Sequence, residues 1–193
     1  MCIQLPSLSR GVPLRTWTLK FEFCFDQAEI DPTNNLLVVL PRRVSCVHMH
    51  CALFCCYNLS RIYRAPGSLT DPHHSALYLR TLSDGTPHPR AASPILFPTF
   101  TLAQARNYII RVMGPLLGIL SFESSGKLEI WNWTTCQKIT TLGRDGFRRT
   151  WHSFEFSSTT SFLFAVDETI QVYEIPVGSP GAHPPMPRFT CRI

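Results

Sequence analysis

The sequence predicts an all-β protein of about three antiparallel meanders, with an irregular insertion and a disordered C-terminal tail. Three observations carry this expectation. The 193 residues include 13 Phe, 4 Trp, 5 Tyr and 16 Pro, a composition that favours strands and turns over helices. Short apolar or alternating runs are separated by turn-forming residues. One strand pattern, Lys127-Leu128-Glu129-Ile130-Trp131, recurs as Thr169-Ile170-Gln171-Val172-Tyr173, 42 residues on (169 against 127).

In chain order, Leu36–Leu40 is an apolar run of strand length, and Ala76–Leu82 is an alternating strand closed by the turn Ser83-Asp84-Gly85-Thr86. Leu116–Phe122 reads as a strand buried on both faces. The loop Glu123-Ser124-Ser125-Gly126 follows, its glycine supplying the positive φ of a hairpin. Lys127–Trp133, the turn Thr134–Gln137 and the strand Lys138–Leu142 complete that meander. Trp151–Phe156, Ser161–Val166 and Thr169–Ile175 repeat it. A period of about 40–45 residues is that of a propeller blade, so the meanders are expected to stack as about three blades of a partial β-propeller. The domain reading is 1–43 for the N-terminal segment and first blade strands, 44–73 for a Cys-rich insertion, 74–175 for the blades and 176–193 for the Pro-rich tail.

The totals limit the function classes. Hydrophobic residues make up 45% and charged residues 16% of the chain, with mean hydropathy +0.04, too apolar for a disordered protein. The net charge of +5 is mild, and the basic pairs Arg42-Arg43 and Arg148-Arg149 form no stripe, so no nucleic-acid partner is expected. No window reaches the roughly 18 consecutive apolar residues that span a bilayer, so no membrane partner is expected either. Met1–Arg10 has no secretory pattern, which places the chain in the cytoplasm or nucleus with its eight cysteines reduced. The sequons at Asn58 and Asn132 are then silent.

At Lys127-Leu128-Glu129-Ile130-Trp131-Asn132-Trp133-Thr134-Thr135-Cys136-Gln137-Lys138 the chain resembles the WD40 repeat, with Asn132 where that family has Asp. A narrower resemblance runs over nearly all of residues 3–175. Leu5-Pro6-Ser7, Arg10–Trp17, Glu29-Ile30-Asp31-Pro32 ahead of Leu36–Leu40, and Leu77–Pro89 leading into Ala91–Pro94 are similar to the region after the F-box in large fungal F-box protein families. The resemblance implies a substrate-recruiting subunit of a cullin-RING ubiquitin ligase, whose F-box grips the adaptor while the propeller-like part binds a protein target. Leu5-Pro6 is followed by Ser, Gly and Pro rather than by F-box helices, so adaptor contact is not expected from this chain alone.

Residues 44–64 interrupt that resemblance. Four of the eight cysteines fall there, and Cys46, His48, His50, Cys51, Cys55 and Cys56 are candidate soft metal ligands. One dense cluster lacks the second, separated ligand pair of a structural zinc site, so no metal or other cofactor is expected. Val44-Ser45 is encodable by a splice-donor-like GT-x-AGT, and Tyr63-Arg64 by codons containing a TAG acceptor. The segment therefore reads as a short intron translated in frame, or a gene-model error, placed where a blade needs only a hairpin.

No Gly-x-Ser-x-Gly elbow, Gly-x-Gly-x-x-Gly or P-loop occurs, and the acidic residues, Glu129 among them, read mostly as turn and outward strand positions, so no catalytic residue is assigned. His73, His74 and His88 lie in Pro-rich loops and read as solvated; Cys136 stands where a turn glycine is common. Partners of propellers dock on loops, with Arg and aromatic residues as usual anchors. Gly143–Trp151 joins two blades, and Arg144, Phe147, Arg148, Arg149 and Trp151 are the candidate partner-binding residues. The leading expectation is a non-catalytic protein-interaction module. A truncated, non-functional propeller fragment and a Cys/His metal-binding regulator stand as alternatives.

Overall fold

In a computed structural model of the chain, the structure describes residues 2–4, 15–21, 23, 25–41, 76–99, 108–122, 126–143, 151–166, 168–176 and 187–192. Among them the fold is all-β, with one 3-10 turn at Pro32–Asn34. A short antiparallel ribbon, β1 (Cys2–Gln4) and β2 (Arg15–Trp17), comes first. Three four-stranded antiparallel sheets follow, each with its strands in chain order. The first holds β3 (Phe25–Asp31), β4 (Leu36–Pro41), β5 (Leu77–Thr81) and β6 (Ile95–Leu96). The second holds β7 (Tyr108–Met113), β8 (Leu116–Ser121), β9 (Lys127–Asn132) and β10 (Gln137–Gly143). The third holds β11 (Trp151–Ser158), β12 (Ser161–Val166), β13 (Thr169–Glu174) and β14 (Pro187–Arg192).

Local chemistry fixes the turns. Between β3 and β4, the Asp31 carboxylate accepts from the backbone N–H of Thr33 (2.9 Å) and Asn34 (3.3 Å), Pro32 presets φ, and Asn35 takes the left-handed conformation at φ 54°. Gly126 does so at φ 46° before β9, as the loop sequence predicts, and Cys136 at φ 54° fills the glycine-like position between β9 and β10. At the Ser83–Thr86 turn, Asp84 accepts from the Thr81 hydroxyl, the Thr86 N–H (2.9 Å) and the Thr86 hydroxyl (2.7 Å). These bonds hold its carboxyl down to about 2 from an ordinary 3.8.

Each sheet buries its apolar faces against the next. Leu36, Val38, Leu40, Leu77, Leu79 and Leu96 of the first sheet pack on Ile110, Leu117, Ile119, Trp131 and Trp133 of the second. The opposite face of the second sheet, with Leu116, Leu120, Leu128, Ile130 and Leu142, packs on Phe154, Phe156, Phe162, Phe164 and Val166 of the third. Each of these buried phenylalanines contributes roughly 1.5–3 kcal/mol of transfer free energy. β4 and β8 are buried on both faces, which is why both read as continuous apolar runs. The first strands β3, β7 and β11 lie side by side. At Gly118 on β8, an added Cβ would stand 2.6 Å from the Phe154 ring, so the third sheet approaches the second closely there.

The two ends of the stack differ. On the far face of the first sheet, Leu37, Val39 and Tyr78 are covered by Leu19, Phe21 and Phe23 of the segment after β2, and the Trp17 indole N–H donates to the Leu82 carbonyl (3.0 Å). On the far face of the third sheet, alternation puts Leu163 and Ala165 of β12 opposite to Phe162 and Phe164. The register brings Ile170, Val172, Phe189 and Cys191 onto that same face. Ile170 is 37% and Phe189 61% exposed.

Predicted and observed strands agree to within a residue or two, but the sequence reading supplied neither β3 nor β6 of the first sheet, nor β7 of the second, nor β14 of the third. The expectation of a disordered tail over 176–193 is overturned for Pro187–Arg192, which forms β14 and pairs antiparallel with β13. Backbone pairing with β13 outweighs a composition rich in proline, since Pro187 stands at the strand start where a missing N–H is tolerated. The insertion at 44–73 lies outside the described residues. Its flanks do not: β4 and β5 pair directly, Val39 opposite Tyr78, so the segment enters and leaves the first sheet at one hairpin end.

Candidate functional site

The strand directions sort the connections onto two rims. The tight turns at 32–35, 114–115, 133–136 and 159–160 lie at one rim, where the Ala92 N–H donates to the Thr134 carbonyl (2.7 Å) and Gly114 adjoins Thr159. The links from β4 to β5, β6 to β7, β8 to β9 and β10 to β11 all leave from the opposite rim.

On the side of that second rim, residues 97–99 after β6 are fastened to the second sheet by Glu129. Its side chain is fully buried. It accepts from the Thr99 N–H (3.1 Å), the Thr99 hydroxyl and the Trp131 indole N–H (3.1 Å), and pairs with the Lys127 ammonium (3.3 Å). The Lys127 and Lys138 ammonium groups both reach the Thr99 hydroxyl (3.2 and 3.5 Å), and Lys138 stands 6.0 Å over the Trp131 ring. Phe97, two residues before Thr99 in the chain, is 48% exposed. A buried carboxylate is tolerated because donors occupy both of its oxygens. The outward position expected for Glu129 is therefore corrected: alternation with Leu128 and Ile130 signals a change of face, but not that both faces of β9 are covered.

The turn rim holds a second buried polar group. His88 is 5% exposed, so the solvated state expected for it is overturned. The Arg90 backbone N–H donates to His88 Nδ1 (3.2 Å), which leaves Nε2–H to donate to the Asn34 carbonyl (3.0 Å). The ring meets Trp133 edge-on at 4.8 Å, Arg90 lies 5.5 Å over that indole, and the Trp133 N–H donates to the Gly114 carbonyl (2.7 Å). Asn132 Oδ1 caps the turn by accepting from the Thr134 N–H (3.0 Å) and hydroxyl (2.7 Å). Asn, like Asp, supplies this turn acceptor.

Along the adjacent first strands, Arg111 stands between two carboxylates. Its Nε donates to Glu155 at 2.7 Å and its guanidinium lies 3.9 Å from Glu29, so β7 is tied to β11 and β3. Burial pushes the Glu29 carboxyl up, Arg111 opposes this, and Glu155 adds to it.

Arg144, Phe147, Arg148 and Arg149 lie outside the described residues. Trp151 is the first residue of β11, with its backbone opposite Val166. At the other end of the loop, Gly143 pairs with Lys127. The loop thus starts opposite Lys127, whose ammonium group shares the Thr99 hydroxyl with that of Lys138, a juxtaposition the sequence reading did not single out. Cys46, His48, His50, Cys51, Cys55 and Cys56, and His73 and His74, also lie outside the described residues. Among the described residues no three His, Cys, Asp or Glu side chains converge to hold a metal ion, and no helix is long and apolar enough to cross a membrane.

No family model, curated protein or solved structure matches the chain.

Proposed function

We propose that the chain is a non-catalytic protein-interaction module, the propeller-like, target-recruiting part of a substrate receptor of the F-box type. Consecutive four-stranded meanders stacked with their first strands side by side are the arrangement of propeller blades, which supports the blade reading. The observation that carries the interaction reading is the setting of the 144–150 loop. Its flanking residue Gly143 stands opposite Lys127, and its sequence carries three arginines and Phe147. Arginine and aromatic side chains are the usual anchors of protein interfaces. The partner is a protein target in the cytoplasm or nucleus. The buried polar groups Glu129 and His88 fasten loops to sheets; no bond-making role is assigned to them.

The test is quantitative affinity capture from cell extract with the chain and with Arg144→Glu/Arg148→Glu/Arg149→Glu, both verified as folded by circular dichroism. A defined set of proteins retained by the first and lost by the second is the expected result. Identical sets would overturn the assignment.

A second reading, a propeller fragment interrupted by translated intron, is favoured by the position of the insertion at the β4–β5 hairpin end. Deleting residues 44–64 is expected to leave the three-sheet core intact and raise soluble yield. A deletion that unfolds the chain, or mature message carrying those codons in an abundant protein, would refute it.

A further inference from the structure

We propose that the edge of β13 now covered by β14 is a strand-docking site for an extended, basic segment of a protein partner, and that β14 is a built-in occupant which the partner displaces. This inference is independent of the arginine loop. Of the strands in the three sheets, β14 alone has every residue exposed. The strands in the same fourth position of the other two sheets are anchored: β6 buries Leu96, and β10 buries Thr140 and Leu142. β14 holds its place without burying a side chain.

Backbone pairing and charge hold it instead. The antiparallel register sets Arg192 opposite Thr169, Cys191 opposite Ile170, Thr190 opposite Gln171 and Phe189 opposite Val172, with a shift before Pro187 meets Tyr173. At one end Arg192 donates to Glu168 (3.2 Å), and at the other Arg188 pairs with Glu174. These four side chains are between 48% and 82% exposed, and ion pairs so exposed add little stability. The joints between β11 and β12 and between β12 and β13 have two residues each, whereas β14 follows β13 after twelve, 175–186. A strand with few buried contacts, exposed hydrogen bonds and a long link to its neighbour opens locally while the sheets behind it stay folded.

The occupied edge displays the chemistry it accepts. A strand added to a sheet edge draws affinity from main-chain hydrogen bonds and selectivity from its side chains. Here Glu168 and Glu174 stand at the two ends of β13, and the cations that meet them, Arg188 and Arg192, are four residues apart. Phe189 and Cys191 lie between, opposite Val172 and Ile170. The edge therefore fits a segment that reads cation, apolar, any residue, apolar, cation in extended form. Such a segment reproduces the contacts of β14. It competes with a tethered strand, so it binds only the fraction of chains whose β14 is released.

Native-state hydrogen exchange of the full chain is the first test. The amides of β14 are expected to exchange through a local opening, about tenfold or more faster than those of β8 and β9. Exchange of β14 only in step with those strands overturns the proposal. A fluorescein-labelled peptide of residues 186–193 then probes the edge by fluorescence anisotropy. Phe189→Pro/Thr190→Pro removes two consecutive N–H groups from the full chain, one of which must face β13, and is expected to release β14. The peptide is expected to bind this variant about tenfold or more tightly than the parent. Equal binding, or none to either, overturns the displaceable strand. Adding Glu168→Lys/Glu174→Lys is expected to weaken the peptide about tenfold, and a peptide carrying Arg188→Glu and Arg192→Glu to regain it. Indifference to both changes overturns the basic partner. A parent chain that dimerises with concentration and thereby excludes the peptide assigns the edge to a second copy's β14 and overturns it as well.

Discussion

Gly118→Ala tests the closest approach in the molecule. The glycine lies on β8 opposite Arg111, on the face that packs against the third sheet. A Cβ there would stand 2.6 Å from both Cε2 and Cζ of Phe154 and 3.1 Å from Cζ of Phe156. Carbon atoms in contact prefer about 3.5–4.0 Å, so the Phe154 ring would have to retreat by on the order of 1 Å. It has little room, because it is 1% exposed, meets Phe156 edge-on at 5.7 Å and lies 6.4 Å from Phe164. Overpacking of this kind costs about 1–3 kcal/mol. Alanine returns about 0.5–1 kcal/mol of backbone entropy relative to glycine. The net is a loss on the order of 1 kcal/mol, or roughly 2–4 °C in Tm for a chain of this size. Thermal melts followed by circular dichroism measure it, with Gly143→Ala as control, since nothing lies within 4 Å of a Cβ there. Phe154→Leu in the Gly118→Ala background is expected to recover part of the loss by non-additivity. A Gly118→Ala chain that melts higher than the parent would refute the reasoning, because it would mean the second and third sheets do not touch at this point.

The other predictions concern single side chains. Glu129→Ala removes the acceptor of the Thr99 N–H and the Trp131 indole and leaves Lys127 without its carboxylate; about 3 kcal/mol should be lost in urea unfolding, and Glu129→Gln should lose less. The depressed Asp84 carboxyl contributes stability that is complete above the ordinary value of 3.8 and is lost as pH falls toward about 2. The Tm difference between the parent and Asp84→Asn should therefore shrink over that window, and a constant difference would show the turn bonds to be charge-independent. Spectrophotometric titration should find the Tyr173 phenol above the ordinary tyrosine range, because the ring is half-buried and stacked on Phe162 at 5.1 Å.

Much of the sheet architecture was legible because strand period is a local signal. Leu36–Leu40 and Leu116–Phe122 carry it as unbroken apolar runs, and Trp151–Phe156 as alternation. β7 was missed although Tyr108-Ile109-Ile110-Arg111-Val112-Met113 is rich in β-branched residues: its arginine reads as an interruption until Glu155 and Glu29 are seen on either side of it. β14 was hidden by proline and glycine upstream, since pairing with a strand already in place is a property of the neighbour rather than of the segment. The candidate site was legible only as composition. Three arginines and a phenylalanine mark a loop, but Lys127 is brought opposite its flank, Gly143, by strand register, which sequence spacing does not encode. His88 shows the same limit. Its Pro-rich setting suggests water, while the Asn34 carbonyl that accepts from its Nε2–H comes from the β3–β4 turn, 54 positions away in the chain.

Joining β4 to β5 through residues 42–76 has a kinetic consequence. The turn between β7 and β8 spans two residues, Gly114 and Pro115, whereas β4 must find β5 after 35 intervening positions, 42–76. Closing the longer loop costs about 2 kcal/mol more in chain entropy by the logarithmic scaling with loop length. The second and third sheets, dominated by near neighbours in the chain, should therefore order first and offer Leu117, Ile119 and Trp133 as the surface on which β4 and β5 finally meet. Pulse-labelled hydrogen exchange during refolding should find the amides of Leu36–Leu40 protected last, and a chain shortened in this loop should gain folding speed before it gains anything else.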